Sequence, residues 1–284
     1  MEDPVTDPAE IAAPSVDDAP DEPWAGDRTE GPAVEDDAAV GEQDEPDEPD
    51  EPDDVASAPV VVARGLGLRL RTGWVFRHVD LDVDPGESVE LVGSGGTGRS
   101  MLLLALVGRA RFTAGSLRVL GAELSHARAG AGAARSVRAR TSVARVLPQV
   151  EPQEWLTVGE SARERSRWER GRPTDGNGAP LAFDEAARLV GLDAPRSTMV
   201  EHLGRLDQVR LALALALLAP HEVLVVDDLD RGLRADELRA AGETLAAIAA
   251  TGVAVLATTS RESGSATRVV ELPRTPAEHV RDAS

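Results

Sequence analysis

Gly93-Ser94-Gly95-Gly96-Thr97-Gly98-Arg99-Ser100 follows a short apolar run, Ser88–Val92, and precedes a second one, Met101–Val107. The segment matches the phosphate-binding pattern G-x-x-x-x-G-K-[ST] at every fixed position except the lysine. In that pattern the glycines let backbone N–H groups converge on phosphates, and the final hydroxyl holds Mg²⁺. We therefore predict a strand, a phosphate-binding loop and a helix, with phosphates bound from Gly93 to Met101 and Mg²⁺ at Ser100. The alternative is a glycine-rich turn without a ligand.

Arg99 stands where the pattern has lysine. It keeps the positive charge, but its planar guanidinium is stiffer than an ammonium group, so the change is not conservative at this point. We expect nucleotide affinity to fall without vanishing. Hydrolysis should suffer more, because the transition state needs closer positioning than ground-state binding does. All 30 basic residues of the chain are arginine, so a compositional bias against lysine is a second explanation for Arg99.

The acidic residues are concentrated at one end of the chain. Residues 1–57 hold 22 Asp and Glu against Arg28 alone, a net charge of −21, which leaves +1 for the rest of the 284 residues. The repeat Asp44–Pro52 and the scarcity of large apolar residues predict a disordered tail, since little surface can be buried there to offset the ordering entropy. The tail is either a solvating arm or an acidic interaction arm.

Composition also excludes several classes of protein. The absence of cysteine excludes disulfides and thiolate chemistry, and five histidines without clustered spacing argue against a zinc site. No window approaches the roughly 20 apolar residues that span a bilayer, and the acidic start does not resemble a signal peptide. We therefore expect a cytoplasmic protein with no nucleic-acid partner.

Strand-like and helix-like segments alternate from Pro59 to about Pro273. This alternation predicts an α/β fold with a largely parallel sheet flanked by helices. The predicted strands are Val60–Ala63, Val79–Val83, Ser88–Val92, Leu117–Leu120, Val223–Val226, Val253–Ala257 and Arg268–Leu272. The predicted helices are Met101–Val107, Asp184–Val190 and Leu211–Leu218, and the middle of the chain is predicted to be rich in loops.

Two carboxylates follow the apolar run Val223–Val226. A strand that is buried on both faces reads as a continuous apolar run, and ligands of α/β sheets bind at the carboxyl ends of the strands. Asp227 is therefore predicted to share the Mg²⁺ held by Ser100, and Asp228 to orient or deprotonate an attacking water. The alternative is a pair of exposed turn aspartates.

From about residue 59 to 273 the chain resembles the nucleotide-binding domain of ATP-binding cassette (ABC) proteins. The resemblance rests on an ordered series of motifs around the phosphate loop and the two aspartates. These are Pro85-Gly86-Glu87, the segment Thr113–Gly121, Gln149 at the Q-loop glutamine, Leu156-Thr157-Val158-Gly159-Glu160, and Ala266-Thr267-Arg268-Val269.

The resemblance implies a P-loop NTPase-type sheet with an N-terminal antiparallel β part and a small helical subdomain at about residues 150–206. The nucleotide-binding domain would then span residues 58–273, between the acidic tail and a C-terminal tail of residues 274–284. The resemblance also implies that Gln149 belongs to the catalytic residues and to the Mg²⁺ ligands. Trp74 lies near the position of the aromatic residue that stacks on adenine, with a place in the core as the alternative.

Several positions depart from the family pattern. Gap-free counting from Asp227 places Leu203–Asp207 on the L-S-G-G-Q signature, which in this family caps the γ-phosphate bound to the other subunit. Asp228 replaces the catalytic glutamate, Thr259 the switch histidine, and Arg234 the aspartate of the D-loop. The shorter Asp228 leaves its oxygens roughly 1.5 Å further from the water, and a displacement of about that size can cost on the order of 10²-fold in rate.

These observations imply an ATP-binding subunit, most simply of an ABC transporter. It would bind Mg·ATP, form a homodimer or a heterodimer with another cassette, and hydrolyse ATP slowly to drive or gate an integral membrane subunit. That partner would hold it at the inner face of the cell membrane. The main alternative is a non-catalytic structural or regulatory subunit that binds ATP. A third class, soluble cassettes of DNA repair or translation, fits less well because the middle segment is short.

Overall fold

The computed structural model describes residues 58–125, 131–146, 150–169 and 178–272. All of them belong to one compact unit of the chain, Asp54–Ser284. Both predicted tails, residues 1–57 and 274–284, lie outside the described residues, and so does Gln149. None of the helices in the described ranges is long and apolar enough to cross a membrane.

The described strands form two sheets. In chain order they are β1 (Val61–Leu70), β2 (Gly73–Val83), β3 (Ser88–Val92), β4 (Ala114–Val119), β5 (Ala122–Leu124), β6 (Thr141–Arg145), β7 (Val223–Val226), β8 (Ala254–Thr259) and β9 (Arg268–Glu271). The first sheet is antiparallel, with the order β2-β1-β4-β5, and the second has the order β6-β7-β8-β3-β9. Every neighbouring pair in the second sheet is parallel. The predicted α/β fold of the P-loop NTPase type is confirmed.

The described helices flank the parallel sheet. They are α1 (Arg99–Leu106), α2 (Ala131–Arg140), α3 (Val158–Glu169), α4 (Phe183–Leu189), α5 (Arg205–Ala216) and α6 (Ala235–Ala249). The start of α3 explains the motif Leu156–Glu160 physically. Thr157 accepts the Glu160 N–H at 3.2 Å, and the Glu160 carboxylate accepts the Thr157 N–H at 2.8 Å, so the motif is a capping box.

The central strands are buried on both faces. In β7, Val223 and Val225 pack into the cluster that contains α1 and the antiparallel sheet. Leu224 and Val226 pack into a second cluster with α4, α5 and α6. This arrangement explains the unbroken apolar run in the sequence, because alternate side chains of each central strand point into different cores.

Several described elements are absent from the predicted strands and helices, although α3 lies within the stretch where the family resemblance implies a helical subdomain. β6 escaped notice because Thr141, Ser142 and Arg145 interrupt its apolar pattern, although all five of its residues are buried. α3 is a 12-residue helix with a polar sequence, of which only a few residues reach the core. α6 was also missed, although it is amphipathic. At its start, the Glu237 carboxylate accepts the Arg234 N–H at 2.9 Å.

A buried histidine lies just before β7. His221 is 3% exposed, and its Nδ1–H donates to the Ala219 carbonyl at 2.6 Å. Burial lowers the pKa of this imidazole because the charged form loses its hydration, and the hydrogen bond to Ala219 opposes that shift only in part. The folded protein therefore takes up this proton less readily than the unfolded chain.

This difference predicts a pH-dependent stability. The contribution of His221 is complete above the unfolded pKa of about 6.5 and is lost as the pH falls toward the lowered pKa of the folded state. His221→Gln should therefore flatten the decline in unfolding free energy between about pH 6.5 and 5, as measured by urea denaturation. His202→Gln is the matched control, since that side chain is 69% exposed, and it should leave the slope unchanged. Equal slopes for His221→Gln and the wild type would contradict the argument.

Candidate functional site

The phosphate-binding loop joins β3 to α1, as the sequence predicts. The Gly93 N–H donates to the Thr259 carbonyl of neighbouring β8 at 3.1 Å, which fixes the start of the loop. Within the loop, the Thr97 hydroxyl donates to the Ser94 carbonyl at 2.9 Å. These bonds hold the loop at the carboxyl edge of the parallel sheet, where ligands of such sheets bind.

Two glycines of the loop adopt left-handed backbone conformations. Gly96 and Gly98 have φ values of 84° and 78°. A Cβ at Gly98 would lie 2.3 Å from the carbonyl oxygen of Val75, so the close approach of β2 requires glycine there. Nothing lies within 4 Å of a Cβ built on Gly95 or Gly96. This open space, together with the N-terminus of α1, which has no side-chain cap, fits a chain of phosphates.

Arg99, the first residue of α1, bends back across the loop. Its Nη1 donates to the Gly93 carbonyl at 2.5 Å, and its Nη2 donates to the Asp228 carboxylate at 2.8 Å. The Arg99 side chain is 12% exposed and that of Asp228 is 29% exposed. The cation expected to meet the phosphates is thus already paired with the carboxylate expected to act on water.

The two aspartates that follow β7 share one hydroxyl. The Thr258 side chain donates to the Asp227 carboxylate and accepts the Asp228 N–H at 2.8 Å. Asp227 is 2% exposed, so the interpretation of the pair as exposed turn aspartates does not hold for it. Asp228 has a φ of 47°, a conformation that non-glycine residues adopt rarely.

The donor set suits Mg²⁺. Ser100 offers a hydroxyl on the first turn of α1, and Asp227 keeps acceptor capacity because one carboxylate has two oxygens. Hard oxygen ligands of this kind, completed by phosphate oxygens and water, are those that Mg²⁺ takes in nucleotide sites. Within the described residues no three His, Cys, Asp or Glu side chains are grouped to hold a metal ion.

Arg145 is a site residue that sequence reasoning missed. It ends β6, is 6% exposed, and donates from Nε to the Asp227 carbonyl at 3.3 Å and from Nη2 to the Asp228 carbonyl. Burial lowers the pKa of this guanidinium. No local sequence pattern signals it, because Thr141 and Ser142 interrupt the apolar pattern of the strand that it ends.

Trp74 lies on β2, one residue before the Val75 that touches the loop. Its ring packs over Gly67 of β1, where an added Cβ would be 2.9 Å from a ring carbon. The Arg69 guanidinium lies 5.6 Å from the ring centroid. The ring is half-buried against β1, and its role as an adenine platform stays a prediction.

The structure also shows the surroundings of the other residues that depart from the family pattern. Thr259 is fully buried and donates its hydroxyl to the Arg261 carbonyl at 2.6 Å, so this hydroxyl is committed to its own turn. The signature-like segment leads into α5, which begins at Arg205 after the N-cap Gly204. Arg205 donates to the Gln208 side chain at 2.8 Å.

A second surface feature lies away from the loop. A groove of about 780 Å³ runs beside residues 150–156 and α3. Trp155 and Trp168 both line it, and they are 70% and 75% exposed. Two such large aromatic residues on one groove are typical of a surface that contacts another protein. We call this feature the tryptophan groove.

Comparison with known sequences identifies the family. A sequence model described as ABC transporter matches residues 76–230, which is more than half of the chain. The chain is 35% identical over 212 residues to an ABC transporter ATP-binding protein of Streptomyces coelicolor, covering 72% of this chain and 34% of that protein. It is 32% identical over 168 residues to the aliphatic sulfonates import ATP-binding protein SsuB 3 of Nocardia farcinica, covering 59% and 57%. The chain thus spans about a third and about half of these two relatives.

Solved structures agree on the fold. The dimeric bacterial ABC transporter cassette MJ0796 superposes with a TM-score of 0.59 at 17% identity, covering 75% of this chain and 94% of that one. The ADP conformation of the cassette MJ1267 gives a TM-score of 0.61 at 14% identity, with coverage of 76% and 88%. The loop, the two aspartates and the two sheets therefore have a common explanation: the chain belongs to the ABC transporter family, as one of its ATP-binding cassettes.

Proposed function

We propose that this chain is the ATP-binding subunit of an ABC transporter, which binds Mg·ATP and hydrolyses it slowly to drive or gate a membrane partner. The observation that carries the proposal is the phosphate-binding loop, open at Gly95 and Gly96 and followed by the uncapped end of α1. The family match over residues 76–230 supports the same activity.

The loop from Gly93 to Met101 would hold the phosphates through backbone N–H groups and the dipole of α1. Ser100 and Asp227 would hold Mg²⁺, with Gln149 as a further ligand. The bound ion supplies charge neutralisation for the phosphates during transfer. Trp74 would contact the base once the Arg69 side chain moves aside.

Arg99 has two incompatible tasks at this site. To reach the phosphates its guanidinium must give up the ion pair with Asp228 and the hydrogen bond to the Gly93 carbonyl. A charged hydrogen bond of this kind contributes about 1 kcal/mol or more, so nucleotide affinity is lowered by several-fold. The lower affinity is thus attributed to the ion pair between Arg99 and Asp228, whereas the sequence alone suggested the stiffness of the guanidinium as its cause.

The same ion pair limits what Asp228 can do at this site. As the group that would orient or deprotonate water, it has one carboxylate oxygen already occupied by the Arg99 Nη2–H, at 2.8 Å. Thr259, at the position of the switch histidine, has its hydroxyl bonded to Arg261 and carries no charge. Both features favour slow turnover.

The matched relatives are named as ATP-binding proteins of transporters, which favours this function over a purely structural subunit. They include import proteins for hemin and for phosphonates, so the relatives differ in transported substrate and do not select one for this chain. We propose that the chain pairs with itself or with another cassette, as MJ0796 does in its dimeric structure. It would act in the cytoplasm, at the inner face of the membrane.

We further propose that the tryptophan groove receives a segment of the membrane subunit. The groove is lined by the apolar side chains of Val143, Leu156 and Leu215 and by charged side chains of α3, and Trp155 and Trp168 are exposed. Exposed aromatic anchors beside apolar and charged side chains are typical of protein contacts, which have a central hot spot and a polar rim.

Steady-state ATP hydrolysis tests the enzymatic part of the proposal. We expect the wild-type rate to lie at least about tenfold below a typical enzyme turnover of about 10 s⁻¹. Arg99→Lys should raise the rate several-fold, because an ammonium on a flexible stem reaches the phosphates as a point charge. Asp228→Asn should abolish it. Equal rates for the wild type and Asp228→Asn would contradict the enzymatic function and leave the non-catalytic subunit as the better account.

Nucleotide affinity tests the competition for Arg99. Asp228→Asn removes the carboxylate that holds Arg99, so the affinity for a fluorescent ATP analogue should rise about three- to tenfold. Asp236→Asn is the matched control, because this carboxylate is 65% exposed and pairs with Arg234. A lower affinity in Asp228→Asn would show that the pair with Arg99 does not oppose nucleotide binding.

Membrane attachment tests the tryptophan groove. In cells of the source organism, the double variant Trp155→Ala, Trp168→Ala should shift the protein from the membrane fraction to the soluble fraction while its ATP affinity stays unchanged. Leu70→Ala is the control, since Leu70 is 49% exposed and lies outside the groove. Unchanged fractionation of the double variant would show that the groove is not the contact surface.

A further inference from the structure

Arg145 is a buried cation that forms no ion pair with any of the described residues. Buried arginines are normally paired with carboxylates, because an unpaired buried charge is costly. Here the guanidinium donates to two successive main-chain carbonyls instead, those of Asp227 and Asp228. The main-chain carbonyl of Arg145 also accepts the Asp227 N–H at 2.9 Å. Three hydrogen bonds thus join one residue of β6 to the two aspartates.

The residue that Arg145 holds is strained. Asp228 has a φ of 47°, and a non-glycine residue keeps such a conformation only where its surroundings impose it. Its N–H is bonded to the Thr258 hydroxyl at 2.8 Å, and its carbonyl to Arg145. The Arg231 N–H also donates to this carbonyl, at 3.0 Å. Because hydrogen bonds hold the main chain of Asp228 at its N–H and at its carbonyl, they fix the direction of its side chain.

We propose that Arg145 is the positioning residue of Asp228: by holding the carbonyls of Asp227 and Asp228, it aims the Asp228 carboxylate at Arg99 and at the phosphate loop. The proposal rests on the proposed nucleotide function, since Asp228 is the carboxylate that would act there. Among the described residues, the Arg145 side chain donates its hydrogen bonds to these two carbonyls and to no residue of the phosphate loop.

The chemistry of arginine suits this task. Its Nε–H and Nη2–H lie along one edge of a planar fork, and that edge matches two successive acceptors at a fixed spacing. A lysine presents a single point charge and would hold one carbonyl well. A glutamine could donate from its amide but carries no charge, so its hydrogen bonds to the carbonyls would be weaker.

Arg145 also borders other parts of the site. It lines a small cavity together with Glu151, Glu154 and Gln208, on the segment before α3 and on α5.

A double-mutant cycle tests the proposal. The variants are Arg145→Gln, Asp228→Asn and the two combined, with Arg145→Lys as the conservative variant. The readouts are the affinity for a fluorescent ATP analogue with Mg²⁺, the steady-state ATPase rate, and amide hydrogen exchange over residues 227–231.

If Arg145 acts through Asp228, Arg145→Gln should release Arg99 and raise nucleotide affinity about three- to tenfold. The ATPase rate should fall about 10- to 100-fold at the same time, because Asp228 is misplaced. In the Asp228→Asn background the affinity should change by less than about twofold. Hydrogen exchange should accelerate at residues 227–231, and Arg145→Lys should restore part of each property.

A purely structural role gives a different pattern. Affinity and rate would then fall together, or the affinity effects of Arg145→Gln and Asp228→Asn would add, and either result overturns the proposal. Failure of both Arg145→Gln and Arg145→Lys to fold would also overturn it, since Arg145 would then serve the fold. Absence of nucleotide binding by every variant and by the wild type overturns the proposed function as well, whereas binding with additive effects overturns the role of Arg145 alone.

Discussion

The parallel pairing of β3, β8 and β7 is the constraint on which the site depends. In-register pairing sets Val92 beside Thr259, and Val226 beside Ala257, so the three strands end at one edge of the sheet. The phosphate loop leaves β3 at that edge, and the aspartates leave β7 there. Because main-chain hydrogen bonds fix this register, residues more than 120 positions apart in the chain meet within hydrogen-bonding distance, as Arg99 and Asp228 do.

The charges at this edge are arranged as two cations and two carboxylates. Arg99 reaches Asp228 from the loop side, while Arg145 reaches the main chain of both aspartates from β6. Thr258 completes the arrangement from β8, since its one hydroxyl serves both aspartates. The site is therefore stabilised by its own residues before any nucleotide arrives.

Sequence reasoning succeeded where a feature is local. The glycine pattern before an amphipathic helix gave the loop, and the apolar run before two carboxylates gave β7 and its aspartates. It failed for β6, whose polar residues find their partners on elements distant along the chain, as Ser142 does when it donates to the Ala216 carbonyl of α5 at 2.8 Å. It failed for Arg145 for the same reason, since no local pattern signals a side chain that bonds carbonyls 82 residues away.

The sequence by itself determined the fold class and the position of the phosphate loop, because these depend on glycine freedom, apolar periodicity and residue spacing. The family and the positions that depart from its pattern followed from the resemblance of the ordered motifs to ABC cassettes. Only the tertiary structure decided which partners these side chains have. It paired Arg99 with Asp228, committed Thr259 to its own turn, and placed Arg145 behind both aspartates. The physical reason is that the sequence specifies the charge of a side chain, whereas the packing of strands that are distant along the chain determines its partner.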